Sequence, residues 1–258
     1  MAAYIQDVIM LVGDSITQRG FIPNGFAQKL SGVCLQSETG CSQPRTQPIF
    51  EKEVLTKRIC SQFFAKQHEQ QHVPKVRLLT IWYGANDSCI PPSIQHVPLP
   101  TFITNVTTLV RKVTSPSSPH YSPVTRIILI TPPPVNTHQR AADLATRDPP
   151  KLLDREFEVT RQYAEAVKDV GRKEQVPVVD MWTLLWDASG HVEENLSEFL
   201  EDGLHLNVKG YEIVYDNLIK TISEHYPELH YDNLGTAFPL HFEIDHSNLE
   251  ASLQKRAV

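Results

Sequence analysis

The sequence predicts a single α/β domain of three α/β/α layers built on a mainly parallel sheet. Two observations carry this. Short apolar runs rich in β-branched residues alternate with longer amphipathic stretches, the pattern of successive βαβ units. The 258 residues, 41% hydrophobic and 21% charged, have ordinary globular composition and suffice to enclose one core without disulfide or metal staples.

The strand-like runs are Val8 to Gly13, Val76 to Tyr83, Arg126 to Thr131 and Val176 to Asp180, each short, apolar and bounded by turn residues. Between them, Phe102 to Val113, Leu152 to Glu174 and Gly210 to Tyr226 place apolar residues at helical spacing and would cover the sheet faces. Ser115 to Pro123 and Thr131 to Thr137 are rich in Pro and Ser and read as loops. The domain is expected over residues 1–226, with 227–258 as a weakly periodic C-terminal extension. One stretch does not fit: from Gly32 to Pro48, where a second strand belongs, polar and turn-forming residues dominate.

Charge and cysteine usage narrow the function. The formal net charge of −6, with no cluster of Lys and Arg, argues against a nucleic-acid partner. Val8 to Val12 is too short for a signal-peptide core and runs into a Gly-Asp-Ser turn, and no apolar stretch reaches the length of a membrane span. A soluble, cytoplasmic protein is expected. Cys34, Cys41, Cys60 and Cys89 have no CxxC spacing and read as reduced thiols. Asn105 and Asn195 fit the glycosylation pattern, which means nothing without secretion.

Three segments carry chemistry. Gly13-Asp14-Ser15-Ile16-Thr17 follows the first strand, so Ser15 stands at the carboxyl end of the sheet, where ligands bind in open α/β folds. Taken alone, it could equally cap a helix. Tyr83-Gly84-Ala85-Asn86-Asp87 follows the next strand and emerges at the same edge. The Asn86 amide is a suitable donor to an oxyanion, and Gly84 would let a substrate approach closely; a plain turn is the alternative. Asp202-Gly203-Leu204-His205 spaces a carboxylate three residues before an imidazole, so that one ring nitrogen can bind Asp202 while the other faces a nucleophile.

In chain order and spacing these segments together resemble the SGNH or GDSL-like serine hydrolase family. Within it, the chain is most similar to the isoamyl acetate-hydrolysing esterases, through Gly13 to Thr17, Leu79 to Asp87, Val97-Pro-Leu-Pro100 and Asp202 to Tyr211. The resemblance implies a flavodoxin-like three-layer fold and a small-molecule ester substrate, in particular short-chain acetates. It implies that Ser15 attacks the carbonyl, His205 acts as base and then acid, and Asp202 orients it. The Ser15 N–H, the Asn86 amide and a further glycine N–H would form the oxyanion hole. No metal or cofactor is required, and the oligomeric state is not readable.

The resemblance breaks between residues 31 and 50. The family's second block, of the form Val-Asn-Arg-Gly-x-Ser-Gly, is missing, and neither Gly32 nor Gly40 follows a strand-like run, so the third oxyanion donor is unassigned. Codons for Glu38 to Pro48, read one nucleotide later, can spell Arg-Leu-Asp-Val-Val-Asn-Arg-Gly-Leu-Ser, a strand followed by that block. This is the pattern expected of a frameshift or splice product. Loss of one oxyanion donor lowers kcat by about 10²–10³, whereas loss of an inner strand threatens the fold itself. A hydrolase-like protein that binds ligand without turnover is therefore the alternative expectation. His68-Glu69-Gln70-Gln71-His72 formally matches a zinc-protease motif, but its polar surroundings and Pro74 favour a solvated helix end.

Overall fold

A parallel sheet positions everything else in the computed structural model, which describes residues 7–35, 64–70, 75–234 and 241–252. Among the described residues the sheet has four strands in spatial order β1 (Val8–Gly13), β2 (Val76–Trp82), β3 (Arg126–Ile130) and β4 (Val178–Val179). Gly13 pairs in register with Trp82, and Trp82 with Ile130, so the first three strands end at one level.

Side chains alternate between two cores, as strand geometry requires. On one face Ile9, Leu11, Leu78, Trp82, Ile128 and Ile130 are buried against α2 (Phe26–Leu35), α6 (Met181–Ala188) and α7 (Val208–His225). On the other, Leu79, Ile81, Ile127 and Leu129 meet α3 (Leu99–Thr114) and α5 (Phe157–Glu174). The expected three layers are therefore present. Strands covered on both sides must be apolar almost throughout, which explains the runs Leu78-Leu79 and Ile127 to Ile130. In α3 the buried residues Phe102, Val106, Leu109, Val110 and Val113 recur at three- and four-residue intervals, one stripe of a helix.

The elements differ from their predicted bounds where polar chemistry overrides apolar spacing. The helix expected from Leu152 begins at Phe157: residues 151–156 run without helical structure, Leu152 is exposed, and Asp154 and Arg155 are drawn into ion pairs. The strand expected over Val176 to Asp180 shortens to Val178–Val179, because Pro177 has no N–H to donate and Asp180 instead caps α6, accepting from the Thr183 N–H. Helix α7 starts at Val208, two residues early, since Asn207 accepts from the Gly210 N–H as its cap.

Four helices of the domain lie outside the predicted ones: α1 (Ser15–Arg19), α2, α4 (Thr137–Ala145) and the short, apolar α6. In α4 only Arg140 and Leu144 are buried. Of the extension beyond residue 226, Leu229 joins the core beside α7, followed by a turn at Tyr231–Asn233 and a short α8 (Leu249–Ser252). The aberrant block at 36–50, with Gly40, Cys41 and the candidate missing strand, lies outside the described residues, as do Cys60 and His72.

Candidate active site

The turn after β1 is tightly built. Asp14 caps α1, its Oδ1 accepting from the Ile16 N–H at 2.9 Å, which leaves half-buried Ser15 at the first helical position. The first N–H groups of a helix have no acceptor within it, so the Ser15 backbone N–H is available to an outside group. A side chain at position 13 would collide with the Trp82 carbonyl 2.7 Å away, so the turn and β2 are in direct contact. Burial pushes the Asp14 carboxyl up to about 6, against the lowering effects of the Ile16 hydrogen bond and of the His205 and Arg155 charges.

The turn after β2 lies beside it because Gly13 and Trp82 are paired. Gly84 has φ +117°, and a Cβ there would meet Pro132 at 2.9 Å. Its N–H donates to Asp87 Oδ2 at 3.1 Å, closing the turn that delivers Asn86. Burial also pushes Asp87 up to about 6, and the neighbouring Asp14 adds to the rise.

The third segment is a loop pinned at both ends. Leu200 and Leu206 form an antiparallel bridge, the Glu201 N–H donates to the His205 carbonyl at 2.8 Å, and buried Leu204 and Leu206 flank His205. Apolar anchors on either side fix where the imidazole points. Its Nε2 lies 3.0 Å from Ser15 Oγ and its Nδ1 2.9 Å from Asp202 Oδ2. With Nδ1 donating to the carboxylate, Nε2 carries the lone pair and accepts from the serine hydroxyl. Asp202 Oδ1 accepts from the backbone N–H groups of Leu204 and His205, at 3.1 and 2.8 Å. Burial alone would raise the Asp202 carboxyl, but the His205 hydrogen bonds and the His205 and Arg140 charges hold it well below the usual carboxylate range.

The structure thus brings Ser15, Asp202 and His205 into one hydrogen-bonded relay, and it adds three residues that sequence reasoning missed. Arg140 on α4 donates to Asp202 Oδ2 at 3.0 Å and, through two further nitrogens, to Asp154 at 3.2 and 3.1 Å. Asp154 also accepts from Arg155, whose Nη2 donates to Asn86 Oδ1 at 3.0 Å. A charged pair inside an apparently helical stretch looks like a solvated face, and nothing in the local pattern distinguishes it. Gly32 faces open space in α2, and His68 and Glu69 are exposed in a turn.

The profile of the GDSL-like lipase/acylhydrolase family matches residues 11–213, spanning all of these segments. The chain belongs to that family. As a GDSL-like protein it is a carboxylic ester hydrolase, and its relatives agree. It is 30% identical over 235 residues to the isoamyl acetate-hydrolyzing esterase of Saccharomyces cerevisiae, covering 87% of this chain and 90% of that one. It is 28% identical over 244 residues to an Arabidopsis thaliana GDSL esterase/lipase, covering 92% and 93%. Among solved structures, an Enterococcus faecalis lipase/acylhydrolase superposes with TM-score 0.56 at 21% identity, over 85% of this chain and 96% of that one. An acetylxylan esterase from Geobacillus stearothermophilus does so with TM-score 0.55 at 17% identity, over 86% and 96%. These structural likenesses support the GDSL-like fold. No helix among the described residues is long and apolar enough to cross a membrane.

Proposed function

We propose that this chain hydrolyses small, short-chain acetate esters through an acetyl-enzyme on Ser15. The observation that carries the reading is the relay from Ser15 Oγ through His205 to Asp202, with steps of 3.0 and 2.9 Å. The acetate preference is drawn from the likeness to the isoamyl acetate-hydrolyzing esterase of Saccharomyces cerevisiae.

In this mechanism His205 Nε2 takes the hydroxyl proton as Ser15 Oγ bonds to the ester carbonyl carbon. The carbonyl oxygen becomes an oxyanion, which accepts from the Ser15 N–H and the Asn86 Nδ2 amide; the Gly84 turn holds that amide at the site. The tetrahedral intermediate collapses, the carbon–oxygen bond to the alcohol breaks, and the alcohol leaves with the proton from His205. Water, deprotonated by the same nitrogen, then cleaves the acetyl–Ser15 bond and releases acetate. Asp202 stabilises the imidazolium formed in each half-reaction.

The test is hydrolysis of a chromogenic acetate ester by the purified chain and by Ser15→Ala, with folding checked for both. Turnover in the parent alone supports the reading. Absence of turnover in a folded parent that still binds ester, unchanged by Ser15→Ala, would instead identify a binding protein on a hydrolase fold.

A further inference from the structure

Arg155 is among the largest fully buried side chains, 1% exposed, yet its guanidinium cannot shed its charge. Such a group must be matched by acceptors on all sides. Its Nε donates to the Ala85 carbonyl at 2.8 Å, its Nη2 to Asn86 Oδ1 at 3.0 Å and its Nη1 to Asp154 Oδ2 at 2.5 Å. Two of these three acceptors belong to adjacent residues of the turn after β2. The third continues to the relay, because Arg140 joins Asp154 to Asp202 Oδ2, the same oxygen that receives His205 Nδ1.

Asp154 neutralises the charge, and any buried oxygen could accept from Nη2; that this acceptor is Asn86 Oδ1 matters. A carboxamide left free can turn either its oxygen or its NH₂ toward a neighbour. Its oxygen would repel an oxyanion, whereas its NH₂ would stabilise one. A guanidinium only donates, so it fixes the oxygen of Asn86 on its own side and sends Nδ2 to the other.

We propose that Arg155 is a positioning residue for ester hydrolysis. It holds Asn86 Oδ1 so that the Nδ2 amide faces the oxyanion, and Asp154 and Arg140 tie that donor to Asp202. The proposal rests on the roles given above to Ser15, His205, Asp202 and Asn86.

The experiment is a double-mutant cycle on the full chain with a chromogenic acetate, using Arg155→Gln, Asn86→Ala and the pair, with thermal melts to establish folding. Arg155→Gln is expected to lower kcat by about 10- to 100-fold with KM within about twofold, the signature of a misplaced transition-state contact. In the Asn86→Ala background the same substitution should lower kcat by less than about twofold, because the group it orients is gone. Arg155→Lys should also lose kcat, since one ammonium cannot span three acceptors in three directions. Parent kcat in a folded Arg155→Lys or Arg155→Gln variant overturns the proposal, as does an equal loss in both backgrounds, the mark of a structural role.

If neither Arg155 variant folds, Asp154→Asn, whose side chain is 26% exposed, removes the charged partner of the guanidinium. It should show the same dependence on Asn86, and parent kcat there overturns the proposal. Full activity in Ser15→Ala would defeat the underlying mechanism, and full activity in Asn86→Ala would defeat the oxyanion assignment along with this proposal. Loss in both, with Arg155 effects that simply multiply, would defeat this proposal alone.

Discussion

The Tyr211 hydroxyl donates to the Ile16 carbonyl at 2.7 Å in a buried contact spanning 195 residues of sequence. Tyr211 lies in the first turn of α7, just after the His205 loop, and Ile16 directly follows Ser15. The ring also stacks on Phe26, with centroids 5.8 Å apart. One side chain therefore ties the helix that carries Ser15 to the segment that carries His205.

Tyr211→Phe tests this link because it keeps the ring and removes only the hydroxyl. Loss of a buried hydrogen bond that leaves a carbonyl unpaired should cost about 1–2 kcal/mol in urea unfolding. If the bond also holds Ser15 and His205 in register, kcat should fall severalfold with KM little changed. Lost stability with unchanged kcat would show that the relay is positioned by other contacts.

Asp202→Asn should retain the fold and lower kcat by about 10³–10⁴-fold. An amide can present NH₂ to the imidazole, stabilising the tautomer in which Nε2 is protonated and cannot accept from Ser15. The substitution also strips a charge partner from Arg140. Kinetics alongside a urea melt separate these effects: a fold loss below about tenfold in kcat would mean that Asp202 serves the ion-pair chain more than the base.

The carboxyl of Asp14 predicts an unusual pH dependence of stability. Its pKa rises from 3.8 to about 6 on folding, burial being the largest cause. Between those values the unfolded chain has already released the proton while the folded chain retains it, so stability falls as pH rises through this window and levels off above it. Asp14→Asn keeps an oxygen for the Ile16 N–H but removes the buried charge. The variant should match its parent near pH 4 and exceed it by about 1–3 kcal/mol at pH 8, as read by denaturant unfolding. A constant difference across the range would show that Asp14 does not titrate there.

The layers and the relay were legible because both are written locally. Ile127 to Ile130 is apolar without interruption and Leu78 to Trp82 is broken only by the buried Thr80, as befits strands covered on both faces. Ser15 and Asn86 each come just after an apolar strand, and His205 stands three residues after its carboxylate partner. Arg140, Asp154 and Arg155 were not legible, because their meaning lies in partners 62, 14 and 69 residues away in sequence. The same cause misplaced the start of α5: Leu152 and Leu153 fit a helical stripe, but pairing of Asp154 and Arg155 holds the chain in another conformation.

Gly203, inside the relay loop, offers a test of how closely that loop is fitted. Its φ is +80°, its carbonyl accepts from the Asn136 N–H at 2.9 Å, and a Cβ would stand 2.4 Å from the Arg140 backbone nitrogen. Gly203→Ala thus combines left-handed strain with a collision against α4, which cannot move without shifting the Arg140 guanidinium from Asp202. Gly190 supplies the control, with φ +67° and nothing within 4 Å of an added Cβ, so Gly190→Ala meets strain alone. Strain should cost about 1 kcal/mol at position 190, and the added collision should bring position 203 to about 2–4 kcal/mol. Activity should divide more sharply than stability, with kcat at parent level in folded Gly190→Ala and lowered at least tenfold, on the order of a 1 Å misplacement, in folded Gly203→Ala. Equal losses at the two sites would mean that the loop yields to the new methyl group and that α4 does not hold Asp202 in place.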